Sequence, residues 1–244
     1  MTSFDAAWAS VSEVDGWMTE GQARALYDAA RACTPGGTIV EIGSFHGRST
    51  IVLASACPPD AMVIAIDPHA GNDRGPQEID GFEAEADDDH QHFNRNLARA
   101  GVADRVTHLR QFSDDALAEI DGEIDVLYVD GAHRYGPARA DIATYGARVS
   151  DGGTMLIHDS FSSIGVTLAI LRELVASRRW TYVSRSRSLT TYRATGHVKR
   201  PVNAAQQLAQ LPWFAKNVGL KVVLTLGLGK LLRRLGRAAP DWPY

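Results

Sequence analysis

Ile39-Val40-Glu41-Ile42-Gly43-Ser44-Phe45-His46-Gly47-Arg48-Ser49-Thr50 is an apolar strand running into an acid, two glycines and a small hydroxyl pair. A second apolar run, Met62 to Ile66, ends in Asp67. Two strands ending this way describe a nucleoside-binding crevice at the carboxyl end of a parallel sheet. Gly43 lets the backbone approach a ligand closely, and Gly47 lets the next helix start tightly against the strand. From Glu41 to Gly47 the turn reads E-x-G-x-x-x-G, which departs from the G-x-G-x-x-G of a dinucleotide site.

Outward from this stretch, strand and helix signals alternate. Strands are expected at Thr38 to Ile42, Met62 to Ile66, Arg105 to Arg110, Ile124 to Val129 and Thr154 to His158. Helices are expected at Arg48 to Ala56, Phe82 to Ala100, Asp114 to Glu119, Pro137 to Arg148 and Gly165 to Ser177. A further helix opens at Thr19 and runs to Ala32, with Gln22 as the capping-box partner of Thr19. Short buried strands alternating with amphipathic helices imply parallel crossover units and an α/β layered domain. Two closing strands, Trp180 to Ser184 and Leu189 to Tyr192, flank Arg185-Ser-Arg-Ser188. The insert Pro68 to His90, with several glycines and the acidic run Glu83 to Asp89, interrupts the rhythm; it is either a lid over the crevice or a solvated connection.

The 244 residues suit one larger domain with a substantial core. Hydrophobic residues at 45% and charged residues at 22% exclude wholesale disorder. Cys33 and Cys57 form neither a metal-type spacing nor a disulfide framework, which suits a reducing cytosol. The first ten residues lack a basic-then-apolar run, so no signal peptide is expected and the expected location is cytoplasmic. Net charge is uneven: Lys199 to Tyr244 carries eight Lys or Arg and one acid, or +7, which leaves −11 of the chain's −4 for residues 1–198. An acidic body argues against a nucleic-acid partner held by its phosphates. A boundary is therefore expected near Gly196, with a domain at 1–196 and a basic amphipathic helical appendage at 197–244. That appendage packs on the domain or on a second subunit, forming a homodimer, lies on an anionic membrane surface, or is a disordered tail.

The glycine turn favours S-adenosylmethionine over NAD, because its amino-acid end carries an ammonium and a carboxylate in place of a pyrophosphate. Glu41-Ile-Gly-Ser-Phe-His-Gly-Arg-Ser49, Asp67 and Tyr128-Val-Asp-Gly-Ala-His133 together resemble class I S-adenosylmethionine-dependent methyltransferases. Within them the chain is similar to the catechol-type, metal-assisted O-methyltransferases and their bacterial sugar-modifying relatives, over roughly Gly16 to Arg193. The resemblance implies a Rossmann-like, mostly parallel sheet closed by a C-terminal antiparallel hairpin, with helices on both faces. It also implies a cofactor site of Glu41, Gly43, Ser44, Gly47, Ser49, Asp67, Phe112, Ser113 and Asp130. Glu41 and Ser49 would meet the amino-acid end, Asp67 the ribose hydroxyls, and Phe112 with Ser113 the adenine ring.

Asp130 and Asp159 end two strands; if those strands are neighbours, both carboxylates reach one crevice mouth. Oxygen ligation with open positions suits Mg2+ or Mn2+. The catechol-type pattern has Asp-Asn where this chain has Asp159-Ser160, so Ser160 or a water would complete the ligand set. His158 alternates with Asp159 and is expected to face away. His133 stands where the bacterial relatives carry a histidine and the catechol-type enzymes a lysine. A histidine is a suitable general base near neutral pH, its unperturbed pKa being about 6.5; metal ligation and a structural hydrogen bond are the alternatives. Tyr135 would orient His133 or line the pocket. The expected activity is transfer of a methyl group to a hydroxyl oxygen of a saccharide or sugar-containing metabolite. A phenolic or polyketide hydroxyl is the alternative acceptor. From other classes come an NAD-dependent oxidoreductase, for which a Tyr-x-x-x-Lys pair is missing, and a non-catalytic S-adenosylmethionine-binding module.

Overall fold

A computed structural model of the chain describes residues 2–70 and 83–225, leaving the middle of the Pro68 to His90 insert and the tail after Thr225 outside the described residues. In chain order come α1 (Phe4–Ser10), α2 (Glu20–Arg31), β1 (Thr38–Ile42), α3 (Arg48–Ala56), β2 (Met62–Ile66), α4 (Glu83–Ala100), β3 (Val106–Leu109) and α5 (Ser113–Ala116). Then follow β4 (Ile124–Val129), α6 (Tyr135–Ala147), β5 (Val149–Ile157), α7 (Ile164–Glu173), β6 (Trp180–Ser186), β7 (Leu189–Ala194), α8 (Arg200–Leu208) and α9 (Leu211–Thr225).

The seven strands form one sheet in the order β3-β2-β1-β4-β5-β7-β6. β1 to β5 pair in parallel, whereas β7 runs antiparallel to both β5 and β6. The expected Rossmann-like sheet and its closing hairpin are therefore present. Chain order reverses beside β1, whose neighbours are β2 and β4, and an open α/β sheet has its ligand crevice at such a switch point.

Alternation along β1 and β4 sends side chains to two cores. Ile39, Val126 and Tyr128 join α1 to α4 on one face, and Val40, Leu127 and Val129 join α6 and α7 on the other. Leu26 and Leu53 are fully buried in the first core, each contributing about 1.5–3 kcal/mol relative to exposure. Ala23, Leu26, Tyr27 and Ala30 give α2 its apolar stripe at helical spacing. Its N-terminus is fixed by the expected capping box, in which Thr19 N donates to Gln22 Oε1 at 2.8 Å.

β5 begins five residues earlier than its sequence pattern indicates, with Gly152 at φ +83° and a register shift against β4 between Ile124 and Val126. The expected helix Asp114 to Glu119 breaks into α5 and a 3₁₀ turn, Leu117–Glu119. α1 is an addition: Ser3 Oγ caps Ala6 N, and Phe4 packs edge-on against Tyr27 with ring centroids 5.4 Å apart. α8 and α9 lie against the sheet's hairpin edge. Asn203 Oδ1 accepts from Tyr182 N at 2.7 Å, Leu211 and Phe214 pack on the second core, and Asn217 Nδ2 donates to Phe161 O at 3.0 Å. No described helix is long and apolar enough to cross a membrane.

Candidate active site

The turn after β1 is built around two left-handed glycines, Gly43 at φ +87° and Gly47 at φ +84°. Gly43 presses on the segment that follows β4: a Cβ there would overlap the Asp130 carbonyl oxygen and lie 2.6 Å from its carbon. Asp67 ties the turn to β2, its Oδ2 accepting from Ser44 N at 2.9 Å and Phe45 N at 2.8 Å, and its Oδ1 from His69 N at 2.8 Å. These bonds hold two successive backbone amides in one orientation beside the crevice. His46 latches the turn to α4, its Nε2 lying 2.8 Å from Asp89 Oδ1 while its ring stacks on Phe45 at 3.8 Å.

Glu41 is wholly buried beneath the turn. It accepts from Ser49 Oγ, and from Thr50 Oγ1 at 2.5 Å, both from the first turn of α3. Burial raises its carboxyl to about 8, against the lowering effect of those two bonds and with Asp130 and Asp67 adding repulsion. A carboxyl whose folded pKa lies above its unfolded value of 4.5 stabilises the native state below that value, and the contribution drains away as pH rises toward 8. The ligand-free chain is accordingly expected to lose melting temperature between pH 5 and 8 relative to Glu41→Gln. Parallel melting profiles for the two proteins would refute this.

The other half of the site comes from β4 and β5, which are parallel neighbours with Val129 opposite Ile157. Asp130 follows one and Asp159 lies just beyond the other. Asp130 Oδ2 accepts from Tyr128 OH at 2.8 Å, and its Oδ1 lies 3.1 Å from His158 Nδ1. His133 Nε2 is 2.5 Å from Asp159 Oδ2, and Ser162 Oγ donates to Asp159 Oδ1 at 2.9 Å. Burial alone would raise the Asp159 carboxyl, but His133 and His158 hold it well below the ordinary carboxylate range. One ligand atom from each of Asp130, His133 and Asp159 lies within 4.8 Å of the other two. The His133 backbone is braced by α7: Ser163 Oγ donates to His133 O at 3.3 Å, and a Cβ on Gly165 would lie 2.6 Å from Tyr135 N.

His158 joins this group instead of facing away. β5 ends at Ile157 and Asp159 takes φ +52°, so strand alternation no longer separates the two side chains. Burial opposes a charged His158 ring, yet Asp130 and Asp159 together push it up to about 10. Its other nitrogen, Nε2, faces Gln22 Nε2 at 3.3 Å. Thr19 N can only donate, so Gln22 must turn Oε1 toward it and present its NH2 to His158 and to Ser188 Oγ, 3.0 Å away. That NH2 favours a neutral ring, whereas the carboxylates favour the cation. Both place a proton on Nδ1, between the two acids.

Residues 40–160 match a family profile described as a methyltransferase domain. That stretch carries the methyltransferase domain. Solved structures share the methyltransferase's fold at low identity. The O-methyltransferase TomG of Streptomyces achromogenes, involved in tomaymycin synthesis and solved with S-adenosylmethionine, is 20% identical, with 79% of this chain and 89% of that one covered at a TM-score of 0.54. The Podospora anserina methyltransferase PaMTH1, bound to S-adenosylhomocysteine, is 16% identical over 79% and 87% of the two chains, at a TM-score of 0.58. An O-methyltransferase of Bacillus cereus, also with S-adenosylhomocysteine, is 17% identical over 79% and 89%, at 0.51.

The methyltransferase brings Asp130, His133 and Asp159 together and leaves Ser160 apart. Ser160 is fully buried, its hydroxyl 2.8 Å from Ile157 O and 2.6 Å from Thr190 Oγ1. Glu41, Gly43, Ser44, Gly47, Ser49 and Asp67 all meet at the turn after β1, while Phe112 stands 62% exposed where β3 leads into α5. The hydroxyl of Ser113 bonds to Asp141 Oδ1 at 2.6 Å. Tyr135 opens α6 with an exposed ring. Sequence reading missed Tyr128 as an Asp130 partner and the reach of Gln22 to His158. The Thr19–Gln22 spacing gives only the local half of what Gln22 does.

Proposed function

We propose that the chain transfers the methyl group of S-adenosylmethionine to a hydroxyl oxygen of a saccharide or sugar-containing metabolite, with His133 as the general base. The observation that carries this reading is the convergence of Asp130, His133 and Asp159 at the carboxyl ends of β4 and β5, beside the glycine turn of β1. S-adenosylhomocysteine or S-adenosylmethionine in solved relatives of the same fold supports the donor. Resemblance of Asp130-Gly-Ala-His133 to the bacterial sugar-modifying relatives supports oxygen as the acceptor atom.

In this reading the turn after β1 and Asp67 hold the nucleoside and amino-acid ends of the donor. Asp159 accepts from His133 Nε2 and so selects the tautomer whose basic nitrogen is Nδ1. His133 takes the hydroxyl proton on Nδ1 as the acceptor oxygen bonds to the methyl carbon and the carbon–sulfur bond breaks, leaving neutral S-adenosylhomocysteine. Much of the acceleration comes from holding the two reactants at attack geometry.

The same group of side chains fits a divalent cation. Two carboxylates and one imidazole converge, and hard oxygen donors suit Mg2+ or Mn2+. Asp130 and Asp159 would hold the ion, with water in the position Ser160 does not reach and His133 Nδ1 kept for the proton. A bound cation supplies Lewis-acid polarisation of the acceptor hydroxyl. Removing divalent ions with EDTA is expected to lower turnover at least about tenfold, with recovery on adding Mg2+ or Mn2+. Full activity in EDTA would leave His133 to act alone. A panel of free sugars, glycosides and catechols, assayed for transfer of labelled methyl, tests the acceptor class; transfer to catechols alone would overturn the saccharide assignment.

A further inference from the structure

Asp141 is a buried acid with no part in the chemistry above. It is 3% exposed on α6, and its Oδ1 accepts from Ser113 Oγ at 2.6 Å. One turn further along α6, Tyr145 OH donates to Ser113 O at 2.6 Å. The hydroxyl and the carbonyl of Ser113 are thus held by one helix face, while exposed Phe112 precedes it at the end of the β3 connection. On its other side Asp141 underlies the turn after β4, its Oδ2 being 3.6 Å from where a Gly131 Cβ would stand.

A serine hydroxyl has one proton and two lone pairs, and an ionised carboxylate can only accept. Burial pushes the Asp141 carboxyl up to about 6, against the lowering effect of Ser113 and with Asp114 adding repulsion, so the group is ionised at neutral pH. With its proton committed to Asp141, Ser113 Oγ can offer a ligand only lone pairs. Among the hydrogen-bonding groups of adenine, the exocyclic 6-amino group alone donates, since its ring nitrogens accept.

We propose that Asp141 sets the hydrogen-bond polarity of Ser113 and thereby makes the base subsite selective for a 6-aminopurine over a 6-oxopurine. This rests on the S-adenosylmethionine reading and on Ser113 lying at the base edge. Asp141 is a positioning residue in this scheme, acting on the ligand through Ser113. A 6-oxo group facing Ser113 sets acceptor against acceptor, and a site built for one polarity rejects the other strongly.

The test is calorimetric titration of the full chain with S-adenosylhomocysteine and with its 6-oxo analogue, S-inosylhomocysteine. Wild type is expected to prefer the adenosyl compound by about tenfold or more. In Asp141→Asn, where Ser113 can face either a donor or an acceptor, that ratio is expected to fall to within about threefold. Ser113→Ala should collapse the ratio in the same way and serves if Asp141→Asn does not fold. A merely structural role for Asp141 would weaken both ligands together and leave the ratio intact. A wild-type ratio near one, or a wild-type ratio retained in a folded Asp141→Asn or Ser113→Ala, overturns the inference while leaving the donor assignment standing. Failure of the wild-type chain to bind S-adenosylhomocysteine overturns the donor assignment, and the inference with it.

Discussion

Replacing His133 by Ala is expected to cut kcat by about 10²- to 10⁴-fold, the range a positioned general base contributes. The same change should move S-adenosylhomocysteine affinity by less than about threefold, because His133 belongs to the β4 side of the crevice and not to the glycine turn. His133→Gln separates proton transfer from shape: glutamine can still donate to Asp159 Oδ2 but has no basic nitrogen. If both variants lose activity alike, the basic nitrogen is what matters. Near-normal turnover in folded His133→Ala would remove His133 from the chemistry and leave Asp130 and Asp159 to carry it.

Gly43→Ala should be the most damaging small substitution in the site. Its backbone sits at φ +87°, where an L side chain costs about 1–2 kcal/mol. The added methyl would also run into the Asp130 carbonyl, and overpacking against backbone typically costs a further ~1–3 kcal/mol. For a chain of this size each kcal/mol lowers the melting temperature by about 2–4 °C, so a fall of about 5–20 °C is expected. S-adenosylhomocysteine affinity should drop by about tenfold or more, since any relief of the clash moves the turn after β1 or the turn after β4. Gly101→Ala is the control: φ is +68° there, but nothing lies within 4 Å of the added Cβ, so only the backbone cost applies. Equal shifts in the two variants would show that the β1–β4 approach is loose.

Much of this was readable from the residues alone. β1, β2 and β4 begin and end where their apolar runs do, because central parallel strands are buried on both faces and their limits coincide with the change to polar or glycine residues. The meeting of Asp130 with Asp159 follows from neighbouring strand ends, and α/β order makes that neighbourhood predictable. What stayed hidden depends on backbone irregularity or long-range contact. The start of β5 is masked by Ser150 to Gly153, which lacks a strand pattern. α1 has seven residues, too few to show a helical period. His158 is turned inward by the left-handed Asp159, a departure that strand alternation cannot anticipate. Gln22 and His158 are 136 residues apart, and no local spacing announces their contact.

The contact of Gly43 with the Asp130–Gly131 segment is main chain against main chain. No rotamer can lengthen it and no ordinary side-chain exchange can adjust it, so the spacing between the turn after β1 and the turn after β4 is set by peptide geometry. Side chains around the crevice can then change without altering the length of that gauge.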